Sequence, residues 1–507
     1  MLFFLKKGVC VKKYLILILL IFCTFDICLP QNSFASEQQY IRQRNNIIKS
    51  NDYKITVKLT PQEEKLDKKL SEIKKELLKS YNGAFPYNFP VLHDKKLSES
   101  ALYRFSERLP KGSDLHVHGS EVMSAEGYFD FVSKNKQVYI CNKKGEKYGS
   151  LIYVKPNETV PEGYINFMAA LDKKIFTKEQ LTDIWTLSPD GYKTQADAWD
   201  YFESLFGNVD IVDYLESENV RKYYYNAFKR YCENNILHIE FHRVIKTEIQ
   251  KEKMMLFAIR QAYYDVKKEY PDFNLKIIES GLKCHAQDFS EDLKRLDIAK
   301  QLQAEIKDEY DKNNTENFII GYDLVNEEDS SRSLTDYFQY LEKYRSKDFN
   351  LYLHAGESLS TKNYHLIDAY LLKVKRVGHG YNLYMFPKLL EKYKKADIAL
   401  EVCPISNIRL GYVSDLRQHP MVEYMKRGIP IVIASDDPIF FEKKSLTDDW
   451  FSIIMSFDFG VREIKQLALN SILYSGVSER EKNKLLSAWK KQWNNFVEEE
   501  IQTMNNR

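Results

Sequence analysis

Surplus charge of either sign is missing. The 507 residues hold 74 Lys and Arg against 72 Asp and Glu, so no basic or acidic field argues for nucleic acid or an anionic membrane surface. Cysteine is scarce. Three of the seven, Cys10, Cys23 and Cys28, fall in the first 36 residues, leaving Cys141, Cys232, Cys284 and Cys403. So few in so long a chain exclude a disulfide framework, and their spacing fits no zinc finger. Buried free thiols are the expectation, with one disulfide allowed in an exported protein. Beyond the N-terminus no run approaches the roughly 18 apolar residues that a membrane helix needs.

What is present is the make-up of a soluble globular protein, 44% hydrophobic and 29% charged. The length allows one large domain with additions, or two to three domains. Aromatics reach 14%, with 35 Tyr, and read as packing and pocket lining. Residues 1–36 read as a signal peptide. Lysines precede an apolar run from Tyr14 to Phe25, and Ser33-Phe34-Ala35 supplies small residues for cleavage. Cleavage would leave an exported protein, secreted or periplasmic and free of the membrane; an uncleaved anchor is the alternative.

Residues 37–108 read as an N-terminal helical extension. Thr60-Pro61-Gln62-Glu63 forms a capping box with Pro at the first helical position. Leu66, Leu70, Ile73, Leu77 and Tyr81 follow at helical spacing, and Asn82-Gly83 closes the helix. Its narrow apolar stripe would pack on the main domain or on the same helix of a second subunit. A second helix is expected from Ser98 to about Leu109.

From residue 109 short apolar strands alternate with amphipathic stretches. Eight are expected: Asp114–Gly119, Ile236–His242, Leu275–Ser280, Phe318–Val325, Leu351–Ala355, Arg376–His379, Ala399–Cys403 and Ile431–Ser435. Eightfold strand–helix alternation predicts an α/β fold, a (β/α)8 TIM barrel whose chemistry gathers at the C-terminal strand ends. The gap between the first two strands far exceeds the roughly 35 residues of an ordinary unit. It predicts an insertion over about 127–185, with a hairpin from Val138–Cys141 and Leu151–Val154. Near the end, Ser478 and Glu481 form another capping box, with Leu485, Trp489 and Phe496 on one face.

Polar residues mark the strand ends. His116-Val117-His118 places two imidazoles on one face of the first strand. His354 and Glu357 end the fifth, where the turn at Gly356 lets both reach one cavity. His379 lies between Gly378 and Gly380, and Ser435-Asp436-Asp437-Pro438 ends the eighth strand. Two adjacent buried carboxylates need a cation or a shared proton. Three His and one Asp are the N and O ligands that Zn²⁺ prefers. Glu357 and His379 fit acid/base work instead. Against this stand a polar strand exit for His354 and a helix cap for the Asp pair. His93, His238, His242, His285, His365 and His419 read as structural or surface residues.

In that order, these motifs resemble those of the adenosine deaminase family. Glu401-Val402-Cys403-Pro404-Ile405-Ser406-Asn407 and Val413-Ser414-Asp415-Leu416-Arg417-Gln418-His419-Pro420 are similar to its secreted branch, the adenosine-deaminase-related growth factors. The resemblance spans about 60–500. It implies that His116, His118, His354 and Asp436 bind one Zn²⁺ per chain that activates a water. His379 would orient that water and help take its proton. Glu357 would protonate purine N1, and Asp437 would hold N7. Adenosine, and by extension 2′-deoxyadenosine, would become inosine-type product and ammonia, and the chain would form a homodimer. Trp199 matches an aromatic over the ribose. The sequence departs from the family at Asn326, where Gly is usual and the backbone N–H meets purine N3. It departs also at Gly119 and Leu282, where polar sugar contacts are usual. Those departures leave another 6-aminopurine compound as an alternative substrate. A non-catalytic exported signalling protein is the reading from another class.

Overall fold

A computed structural model describes residues 37–505, apart from 89–93, 146, 189–190, 210, 284–289, 311–315, 442–443 and 445. The expected signal segment therefore lies outside the described residues, as do His93, His285 and Cys284. The chain divides into two units, 1–52 and 53–507. In the first, Glu37–Ser50 is a helix with no buried residue.

Eight parallel strands form the TIM barrel. They are β1 (Gly112–His118), β2 (Ile236–Val244), β3 (Asn274–Leu282), β4 (Ile319–Val325), β5, β6 (Arg376–His379), β7 (Ala399–Val402) and β8 (Ile431–Ile433). Strand β5 is two short pieces, Asn350–Leu351 and His354–Ala355. The first pairs with β4 and the second with β6, so β5 joins two arcs of sheet. The circle closes where β8 exits: His118 N–H donates to the Asp436 carbonyl at 3.0 Å, and Asp436 N–H to that of His116 at 2.9 Å. All eight expected strands form, with ends displaced by a residue or two. The break in β5 has a physical cause. The Asp323 carboxylate on β4 takes the His354 N–H at 2.9 Å, where a ladder carbonyl would otherwise stand.

Between β1 and β2 the chain builds a three-stranded antiparallel sheet. The expected hairpin forms, Val138–Cys141 with Leu151–Tyr153, and Tyr164–Asn166 pairs on the other side of Val138–Cys141. The helix Pro61–Ser80 has its capping box in place. Leu66, Leu70 and Leu77 are buried against the chain's own helices Ala101–Arg108, Val461–Leu473 and Glu479–Asn505. Trp493 donates its indole N–H to Glu63 at 2.6 Å, and Lys69 pairs with Glu500 at 3.0 Å. After a four-residue helix, Lys95–Ser98, the expected second helix begins at Ala101, not Ser98, because Ser100 is the residue whose hydroxyl caps it, accepting from Tyr103 N–H. The terminal helix has its Ser478–Glu481 box.

Candidate active site

The C-terminal strand ends bring the expected residues together. His116 and His118 leave β1 on one face, and His354 opens the second half of β5. One ring nitrogen from each lies within 4.8 Å of the other two. Asp436 adds an oxygen 3.3 Å from His118 Nε2 and 3.9 Å from His116 Nε2. His379 and Cys403 complete a second overlapping set with His116 and Asp436. Two of the residues hold unusual backbone, with φ of +63° at both His379 and Asp436. A non-glycine residue with that φ is strained by about 1–3 kcal/mol and persists where its surroundings over-determine it. At Asp436 the two closing hydrogen bonds to β1 do so.

The histidines are aimed from behind. Glu401 Oε2, on β7, lies 2.7 Å from His116 Nδ1. Asp323 Oδ2 lies 2.7 Å from His354 Nδ1 and 2.8 Å from His242 Nδ1. A carboxylate on Nδ1 fixes the proton there and turns Nε2 toward the cavity as a lone-pair donor. His116 Nε2 is buried and has no hydrogen-bond partner. Gly378 permits the crowding, since a Cβ there would lie 2.8 Å from the His116 ring. The donors are imidazole nitrogen and carboxylate oxygen, with the outer hydrogen bonds of His116 and His354 already made. These residues therefore fit a divalent zinc-type cation.

Glu357 and His379 stand beside this set, Oε1 to Nδ1 at 3.4 Å. Both atoms are buried without a hydrogen-bond partner, as is Asp437 Oδ1. Burial, reinforced by the Asp436 and Glu328 charges, pushes the Glu357 carboxyl well above its ordinary range. Burial draws His379 down to about 3. Burial and the neighbouring Asp436 raise Asp437; burial would raise Asp436 too, but His118 and His379 hold it low. Carboxyls shifted up and an imidazole shifted down in one cavity suit acid/base chemistry.

Trp199 is buried, and its indole N–H donates to the Tyr412 hydroxyl at 2.8 Å. That hydroxyl donates to the Glu357 carbonyl at 3.0 Å, so Trp199 is tied to the Glu357 turn. Asn326 takes φ +104° and folds its side chain back. Its amide reaches the Lys283 carbonyl at 3.4 Å, and its Oδ1 accepts Glu327 N–H at 3.0 Å. Gly119 N–H is bonded to the His242 carbonyl, and Leu282 ends β3 half-buried.

Sequence reasoning missed the supporting carboxylates Glu401 and Asp323. His242, read as structural or surface, is buried with its ring 4.7 Å from that of His116, and both its nitrogens are bonded, to Asp323 and to the Leu115 carbonyl. His238, His365 and His419 are buried and hydrogen-bonded or ion-paired away from the candidate ligands.

A (β/α)8 barrel with a His-rich cation site at its C-terminal mouth is the architecture of metal-dependent hydrolases. The sequence pattern of the adenosine deaminase family matches residues 189–492; the chain belongs to that family. It is 28% identical to adenosine deaminase 2-A of Danio rerio, over 88% of this chain and 91% of that one. It is 29% identical to an adenosine deaminase of Lutzomyia longipalpis, over 95% and 98%. Among solved structures, a zinc-bound amidohydrolase from Burkhoderia ambifaria superposes with a TM-score of 0.57. That match has 18% identity and covers 83% of this chain and all of the other; it shows the shared barrel.

Proposed function

We propose that this protein is a zinc-dependent hydrolase that deaminates adenosine, and 2′-deoxyadenosine, to the 6-oxopurine nucleoside and ammonia. The observation that carries the reading is the meeting of His116, His118 and His354, with Asp436 against the first two, beside a Glu357 carboxyl whose burial favours its protonated form. Zinc held by those four would supply a Lewis acid that makes a water nucleophilic near neutral pH.

The chain's own residues do the rest. His379, neutral because it is buried, is positioned to accept the proton of the attacking water. Glu357, protonated because it is buried among carboxylates, donates to N1 of the purine and leaves C6 electron-poor. A carboxyl that held no proton at neutral pH could not do this. Asp437, also proton-bearing, offers N7 a donor. Trp199, held through Tyr412 to the Glu357 carbonyl, would stack on the sugar, and Asn326 would meet the purine edge. The near-complete coverage of relatives named adenosine deaminase supports adenosine as the substrate. The Asn326 side chain bonds the Lys283 carbonyl and the Glu327 N–H, which leaves the purine edge to backbone groups.

We also infer export through residues 1–36, a deaminase barrel over 109–507 carrying an insertion near 127–185, and a homodimer. The helix Pro61–Ser80 spends its apolar stripe within its own chain, so a dimer would use other faces of the extension. Among the described residues no helix is long and apolar enough to cross a membrane.

Metal analysis of the purified chain, with ammonia release and loss of the adenine absorbance band, tests the reading. About one zinc per chain and turnover of adenosine are expected. Turnover of a different 6-aminopurine with none of adenosine would move the substrate. A protein that binds no divalent metal and releases no ammonia would end the enzyme reading and favour the signalling one.

A further inference from the structure

The turn that leaves β5 carries Glu357, and groups from two other strands grip it. We propose that Lys283 and Glu328 form a clamp that fixes the backbone between His354 and Glu357, aiming the Glu357 carboxyl at the substrate ring. The proposal rests on the reading of Glu357 as proton donor. It makes both residues positioning residues, since neither is aimed at the reacting atoms.

Lys283 follows β3 and Glu328 follows β4, and both are buried. Lys283 Nζ donates to the His354 carbonyl at 3.4 Å. Glu328 Oε2 accepts the Gly356 N–H at 2.9 Å. One grip therefore falls on each side of Ala355. The two are linked, with Nζ 3.4 Å from Glu328 Oε1. Asn363 and His365 hold Glu328 from the far side, at 2.8 and 3.3 Å.

Gly356 itself has φ +81°, and a Cβ there would lie 2.6 Å from Leu366 and 2.8 Å from Asn382. An amide in that conformation is turned out of the strand ladder, and Glu328 satisfies it where no neighbouring strand does. A buried salt bridge that served only stability would need no attachment to this backbone. By the accounting of buried ion pairs it would add little that apolar packing could not. The pair also brackets Glu357 electrostatically: Glu328, like Asp436 and Asp437, pushes its carboxyl up, while Lys283 draws it down.

The test uses the zinc-loaded full chain and the variants E328Q, K283M and K283M/E328Q. Zinc content, kcat, KM, the pH profile of kcat and hydrogen exchange over residues 351–360 are compared. Each single variant is expected to keep its zinc and lose about 10- to 100-fold in kcat, with KM changed by less than about threefold. The segment should exchange faster. The alkaline limb, set by loss of the Glu357 proton, should move up in K283M and down in E328Q. The double variant leaves no charge buried alone, so it reports where a single variant fails to fold. It should show the kcat loss with a limb near its original place. Folded, zinc-bound variants with unchanged kcat and unchanged exchange would overturn the clamp and leave the enzyme reading intact. Should the parent protein fail to turn over adenosine, the exchange measurement still decides the clamp while the enzyme reading falls.

Discussion

Two buried polar clusters lie along the barrel, and they are built on opposite rules. The lower one, midway along the strands, is closed on itself. Arg376 is fully buried; its guanidinium bonds Glu401, Glu240 and the Tyr474 carbonyl. Glu240 also takes the His238 Nε2 at 3.0 Å. None of these side-chain atoms lacks a partner. The upper cluster holds open valences. His116 Nε2, His379 Nδ1, Glu357 Oε1 and Asp437 Oδ1 are buried and unpartnered, and two of its residues hold positive φ. A buried polar atom without a partner costs about 1–3 kcal/mol, so four together mark a place built to receive something. Glu401 belongs to both clusters, bonding Arg376 with one oxygen and His116 with the other. The closed cluster thus orients the open one.

The largest break in this comparison is at the open end. E357Q keeps the shape of the side chain and removes the transferable proton, so kcat should fall by about 10²–10⁴-fold with zinc retained. D436N should lose metal and activity together, as read by metal analysis and ammonia release. The pH dependence has a definite sign. Glu357 has a raised folded-state pKa, so in metal-free protein its contribution to stability is full below its unfolded value. That contribution is lost as pH rises through the folded value. Thermal unfolding of the metal-free chain should therefore show a decline toward neutral and alkaline pH that E357Q flattens. The same proton gives active enzyme its alkaline limit, whereas His379, drawn down to about 3, stays neutral across the working range.

The open cluster was the more legible of the two in sequence. His116 and His118 are two apart on a strand, His354 and Glu357 bracket a Gly turn, and Asp436 and Asp437 end an apolar run. Each is a local pattern with a physical reading. The carboxylates that support the open cluster are single charges inside apolar strands: Asp323 between Tyr322 and Leu324, and Glu401, shared with the closed cluster, between Leu400 and Val402. A lone carboxylate in such a strand is almost never buried unpaired, and that signal could have flagged both. What it could not supply was the partner, because His116 and Glu401 lie on different strands brought together only by closure. The break in β5 was hidden for the same reason, being caused by a side chain on β4. The strand Tyr164–Asn166 is three residues long, too short for any period to show.

Breaking the closed cluster should read first as stability. R376M leaves Glu240 and Glu401 buried without their cation, and a loss of about 3–5 kcal/mol is expected in denaturant unfolding of the metal-free chain. If the loss is no greater than that of an ordinary core substitution, the network is not the strut described here. Cutting the link between clusters should be milder and should read as metal affinity. E401Q and D323N are each expected to weaken zinc by about 10- to 100-fold against a competing chelator. D323N should lose more, since Asp323 supports His354 through both ring and backbone N–H and His242 as well.

The smallest effect is expected at Asn326, at the rim of the open cluster. Its φ of +104° lies beyond the left-handed region that Asn tolerates and within territory that glycine occupies freely. The two bonds of its side chain, to the Lys283 carbonyl and from Glu327 N–H, compensate part of that strain. N326G removes both the strain and the bonds, so a stability change of less than about 1 kcal/mol in either direction is expected. The substrate should be the better reporter. If the side chain crowds a purine edge, N326G lowers KM for adenosine and leaves kcat in place, because a clash relieved equally in ground and transition states changes binding alone. An unchanged KM would mean that the folded-back side chain already clears the ring, and that the departure from glycine here is silent for recognition.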